Sequence, residues 1–123
     1  MKPGLSLLAL LVVLLVMPMS HAIAGDQDFT LVNKTGYTIH QIFVSPAKSS
    51  DWEEDVLGKG KLEDGENVDL KFHRNETAEH WDLKVVYEID DSSAVWENLN
   101  LTKISKITIH YNKKTDKTTA EIE

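Results

Sequence analysis

The sequence predicts an all-β fold: a seven-stranded antiparallel β-sandwich of immunoglobulin-like size, with one short helical turn at about 51–57. Three observations carry this. Seven segments alternate apolar and polar residues with a period of two. Clusters of Asn, Asp, Gly and Ser separate them. One segment in the longest connection carries a helix-capping pattern instead. A small barrel is the alternative closure of the same strands.

The first strand runs from Asp28 to Asn33, with Phe29 and Leu31 on one side. Asn33-Lys34-Thr35-Gly36 then makes a tight turn, Gly36 being free to take positive φ. Tyr37 to Ser45 is rich in Ile, Phe and Val, but Ile39 followed by Ile42 breaks the period, which predicts a β-bulge near His40-Gln41. Ser50-Asp51-Trp52-Glu53 matches a capping box, acids at 51, 53, 54 and 55 suit a helix start, and Gly58 suits its end. Trp52, Val56 and Leu57 are expected to pin that turn to the body.

Asn67 to His73 alternates cleanly through Val68, Leu70 and Phe72. Trp81 to Ile89 alternates best, with Trp81, Leu83, Val85, Tyr87 and Ile89 on one face and Asp82, Lys84 and Glu88 on the other. Val95 to Leu101 is weaker, Ser105 to Tyr111 turns Ile107, Ile109 and Tyr111 inward, and Lys117 to Ile122 aligns Thr118, Ala120 and Ile122. The loops at 33–36, 63–66, 90–93 and 112–115 each separate two such segments, which favours antiparallel hairpins.

The strands begin only after a leader. Met1-Lys2 gives a positive start, Leu5 to Met17 is apolar except for Ser6, and Ala22-Ile23-Ala24 supplies the small residues a signal peptidase reads. The apolar run is shorter than the roughly 20 residues a bilayer span needs. The expected division is a signal peptide over 1–24 and one domain over 25–123, with cleavage after Ala24 and after Ala22 as second choice. Loss of 24 of the 123 residues leaves 99. Because Lys2 leaves with the leader, the net charge moves from −7 to −8. Such an acidic chain is a poor ligand for nucleic acid or an anionic membrane. With no cysteine, it can carry neither a lipid-modified cysteine nor a disulfide framework. The core must be aliphatic and aromatic, with Trp52, Trp81 and Trp96 as large contributors.

Several phrases recur in a set order. They are Phe29 to Tyr37 (FTLVNKTGY), Ile42 to Pro46 (IFVSP), Asp51-Trp52, Asp55 to Gly58 (DVLG), Leu62 to Gly65 (LEDG), Trp81 to Tyr87 (WDLKVVY) and Leu99 to Thr102 (LNLT). Together they resemble a family of small exported bacterial β-domains without established function. The resemblance spans nearly all of the chain after the leader. It implies a β-domain in the periplasm or outside the cell, and it brings no reaction. It also implies a cysteine just before W-D-L and another near Thr102; here His80 and Thr102 stand there.

Candidate chemistry is sparse. Asp51, Glu53, Glu54, Asp55, Glu63, Asp64, Glu66 and Asp69 crowd a short stretch. Asp51, Asp55, Glu63 and Asp64 are candidate oxygen ligands for a hard cation such as Ca²⁺, although no Ca²⁺-loop spacing is present. A solvated acidic surface explains the same run. Lys103, Lys106, Lys113, Lys114 and Lys117 make the C-terminal hairpin basic. That serves either to steer a charged partner or to guard a sheet edge. His40, His73, His80 and His110 are candidate ligands for Zn²⁺ or Cu²⁺, without supporting spacing. No nucleophile elbow, zinc-protease motif or glycine-rich phosphate loop occurs. Three glycosylation sequons begin at Asn33, Asn75 and Asn100, Asn33 and Thr35 reading better as turn residues.

The expected function is therefore an exported, non-enzymatic binding module without a cofactor. Its partner is a protein, a peptide or an envelope component, and its contact surface lies on the long 46–66 connection at Trp52, Asp51 and Asp55. A Ca²⁺- or transition-metal-binding exported protein is one alternative; a small hydrolase or an inhibitor of an envelope enzyme is another. The oligomeric state is open at this stage.

Overall fold

A computed structural model of the chain describes residues 27–72 and 76–123. The leader with its cleavage sites, His73 and Asn75 lie outside the described residues. The described chain is nearly all β. Its strands are β1 (Phe29–Lys34), β2 (Ile39–Pro46), β3 (Asn67–Leu70), β4 (His80–Tyr87), β5 (Ser93–Asn100), β6 (Lys106–Asn112) and β7 (Lys117–Ile122). They form a four-stranded sheet of order β3-β1-β6-β7 and a three-stranded sheet of order β2-β4-β5.

Both sheets give their apolar phase to one core. Phe29, Leu31, Ile107 and Ile109 enter it from the larger sheet; Ile42, Val44, Leu83 and Val85 enter it from the smaller. Trp81 is fully buried among them, with its ring edge-on to Phe72 at 4.9 Å. The indole N–H donates to the Ala78 carbonyl, so burial leaves no unmet donor. Trp96 is half-buried against the same core. Tyr37, Tyr87 and Tyr111 meet edge to face at one end of the molecule. There the Tyr87 hydroxyl of the smaller sheet reaches Thr118 Oγ1 of the larger at 2.7 Å. The predicted bulge is present, the β2–β4 register shifting between Ile39 and Gln41. A second bulge lies in β5, where Asn98 has φ +60° and donates its N–H to the buried Asp82 carboxylate at 2.9 Å.

Four expectations are corrected. The strands are not all antiparallel: β1 runs parallel to β6, Thr30 opposite Lys106 and Lys34 opposite His110. Only the 90–93 and 112–115 loops close hairpins. The 33–36 turn instead carries the chain from one sheet to the other, and the 63–66 turn leads into β3 on the far side of β1. Ile89 is not in β4, which ends at Tyr87; it is 70% exposed in the following turn.

No helix forms over 51–57. The Glu53 N–H, a capping target in a helix, donates to Ser45 Oγ on β2. A run this short is marginal as a helix, so bonds to a neighbouring strand win. Among the described residues, the helical turn is a 3-10 turn at Leu101–Lys103, capped by Asn100.

The sheet-to-sheet corner is built on Asn33, which is fully buried. Its Nδ2 donates to the carbonyls of Tyr37 (2.8 Å) and Leu62 (2.9 Å). Its Oδ1 accepts from the N–H (3.0 Å) and hydroxyl (2.7 Å) of Thr35. All the amide's hydrogens are used and its oxygen is doubly satisfied. Gly36 turns the chain at φ +87° and donates its N–H to Asp64. Replacing Asn33 by Ala takes the acceptor from the Thr35 N–H and one donor from each carbonyl, while Tyr37 keeps the Thr35 hydroxyl and Leu62 keeps the Ile39 N–H. With an unsatisfied buried group costing about 1–3 kcal/mol, the unmet Thr35 N–H alone should make urea denaturation of Asn33→Ala show a loss in that range. A loss within error of zero would refute the hub.

Candidate functional site

The connection from Ala47 to Glu66 is a strap along the free edge of β2. Leu62 exchanges both backbone hydrogen bonds with Ile39. The Val56 N–H donates to the Ile42 carbonyl at 2.8 Å. Asp55 completes the attachment, its Oδ1 accepting from the N–H of Ile42 (2.9 Å) and of Leu57 (3.0 Å). The second of these bonds spans two residues, the local turn that Asp favours over helix. Gly58, at φ +60°, then donates back to the Asp55 carbonyl. Val56 and Leu57 pack on the core as expected. Unpaired edge groups invite pairing with other chains, and the strap occupies them.

Trp52 lies on this strap but packs outside the core. Its ring tilts over Phe43 at 6.3 Å. Phe43 sits between core residues Ile42 and Val44, so it points to the opposite face of the sheet. Lys84 is its register partner on β4. The Lys84 ammonium lies 5.5 Å from the Phe43 ring centre and 5.8 Å from that of Trp52, within the range of cation–π attraction. The next residue across, on β5, is Val95, 45% exposed. The result is a half-exposed aromatic pair holding a cation, continued by an apolar side chain.

The sequence-predicted residues take different parts. Trp52 is at the centre of this cluster. Asp51 is half-buried beside it in the chain, its N–H donating to Ser49 Oγ. Asp55 faces β2 and serves the strap. Burial holds its carboxyl above the usual 3.8, against the lowering effect of its two backbone donors and of His40. Asp64 serves the corner through Gly36, and Glu63 is exposed, its N–H bonded to Glu66. Among the described residues, no three His, Asp or Glu side chains gather as a metal site would require. His40 lies 2.9 Å from Asp91, and His110 lies 3.3 Å from Glu121. Tyr111 donates its hydroxyl to Asp116, which pushes its pKa up to about 12. Asn33 is fully buried in the folded chain, in keeping with a turn role.

Phe43 and Lys84 escaped the sequence reading. The available signal was an aromatic at the outward phase between two inward aliphatics. Its pairing with Lys84 depends on a register that spacing does not reveal. Compared with family models, curated proteins and solved structures, the chain matches none.

The state of Asp55 gives a pH prediction. A carboxyl with a raised folded pKa binds its proton more tightly folded than unfolded. Its stabilising share is present below the unfolded value and lost as pH rises through the folded one. Asp55→Asn keeps an oxygen acceptor without the charge. Its stability relative to the parent should therefore improve as pH rises from about 3.5 to 7, across the usual carboxylate range. Asp55→Ala should lose about 1–3 kcal/mol at pH 7, because two N–H groups lose their acceptor. Urea denaturation at several pH values checks both, and a pH-independent difference between Asp55→Asn and the parent would contradict the assignment.

Proposed function

We propose that this protein is an exported, non-enzymatic binding module that works in the periplasm or outside the cell on a protein, peptide or envelope component. The observation that carries the reading is the Phe43–Trp52 pair with the Lys84 ammonium over both rings, on the sheet face turned away from the core. Rigid aromatics supply contact area at low entropic cost, and Trp is enriched among interface hot spots. A strap anchored to β2 by backbone groups carries Trp52 to this face. The leader pattern and the resemblance to small exported β-domains support the location. In this reading the two sheets pack as a β-sandwich of immunoglobulin-like size, β2-β4-β5 turning its outer face to the partner. Asp55 drops out of the contact set, because its oxygen is committed to the strap; Trp52, Phe43 and Lys84 form its centre.

The test is affinity capture from envelope extract of the producing cells, with the tagged parent, Trp52→Ala and Lys84→Ala. A partner held by this face should lose at least about thirtyfold in affinity with Trp52→Ala, the range of a hot-spot truncation. Circular dichroism should show the β-signal unchanged. Retention of every captured protein by both folded variants would end the proposal.

A further inference from the structure

The four sheet edges are not equivalent. The free edge of β2 is covered by the strap. That of β5 is broken by the bulge at Asn98. That of β3 is four residues long. Only β7, among the described residues, offers an edge that is longer and regular, pairing with β6 from Asn112–Lys117 to Ile107–Ile122 without a register shift.

The direction of its backbone groups follows from its bonds. Glu123 and Lys106 exchange both hydrogen bonds, N–H of each to carbonyl of the other. Antiparallel pairs alternate, so Glu121, Thr119 and Lys117 also bond toward β6. The N–H and C=O groups of Thr118, Ala120 and Ile122 therefore point away from the sheet, toward the free edge. Ile122 is in addition 45% exposed.

We infer that β7 pairs antiparallel with β7 of a second copy about a two-fold axis at Ala120, joining the two four-stranded sheets edge to edge. Charge selects this occupant, and the exposed Ile122 selects the register. β7 begins with Lys117 and ends with Glu121 and Glu123. About Ala120, Lys117 faces Glu123 of the second copy and Glu123 faces its Lys117. Thr119 then faces Glu121, and Ile122 faces Thr118, covering part of the exposed side chain. Opposite-charge cross-strand pairs favour association, and like charges oppose it. A two-fold axis at Thr119 would also pair Lys117 with Glu121 but would set the apolar Ile122 against Asp116, and one at Glu121 would set that carboxylate against itself. Glu123 already lies near Lys106 of its own chain, Nζ to Oε2 3.7 Å. Both side chains are about half exposed, so Glu123 remains open to a second lysine. The contact is isologous and closes at two copies.

One strand pair makes a small interface, so the dimer belongs among weak, reversible complexes. Sedimentation of the chain as recovered from producing cells should show a monomer–dimer equilibrium between about 10 and 500 μM, the range of such interfaces. It should weaken as NaCl rises from 50 to 500 mM, through screening of exposed pairs. Lys117→Glu and Glu123→Lys should each weaken dimerisation about tenfold or more, because two symmetric pairs turn repulsive. The double variant Lys117→Glu/Glu123→Lys should restore it. Both positions are exposed, so the variants fold, and circular dichroism verifies this. A monomer throughout the range, a dimer indifferent to the single reversals, or a double variant that stays monomeric overturns the inference.

Discussion

Asn33 sits at the end of β1 with no solvent contact and four hydrogen bonds from one small amide. Its donors hold the carbonyls of Tyr37 and Leu62, and its acceptor holds Thr35. Those groups belong to the end of the sheet-to-sheet turn and to the stretch that leads toward β3. One side chain thus fixes where the chain leaves the larger sheet and where it comes back to it. The main chain of Asn33 adds to the clamp, exchanging bonds with Glu66 and Gly65. Because the site is dry, half-satisfied arrangements are expensive, and the corner has one stable geometry. The remaining topology follows. With β2 sent to the other sheet and β3 returned to one side of β1, the other side of β1 is left for β6, which arrives parallel.

The same economy governs the sheet margins. A short domain without disulfides has a modest core and little stability in reserve. The strap solves the problem at β2 with main-chain bonds and one carboxylate, although burial of that carboxylate carries an electrostatic cost at neutral pH. The same strap carries Trp52 to the outer sheet face. Of the acids around it, Asp51 and Glu53 are half-buried and Glu54 is exposed.

Much of the fold was legible because β-structure writes itself as period two. Each of the seven strands overlaps a segment that alternation marks, although β3 and β4 stop short of their expected ends, and the bulge at His40 follows from the broken spacing of Ile39 and Ile42. Failures began where the decisive partner is distant in sequence. The Ser50–Glu53 capping pattern is genuine local chemistry, but Ser45 and Ile42 offered the same backbone groups better bonds. The 33–36 turn looks like a hairpin turn, and only Leu62 and Glu66 reveal it as a corner. Trp52 was visible as an unusual aromatic among acids. Its cluster was not, since Phe43 and Lys84 meet through a register that no local pattern contains.

The parallel pairing of β1 with β6 bears on timing. Thr30 to Lys34 must wait for Lys106 to His110, which are synthesised long after them. Such long-range pairing is slow, because a large loop must close before any contact repays it. Until then the larger sheet has only a β1–β3 fragment, too small to stand alone. The larger sheet is therefore completed only once the β6–β7 hairpin is available, whatever β2, β4 and β5 have formed before it.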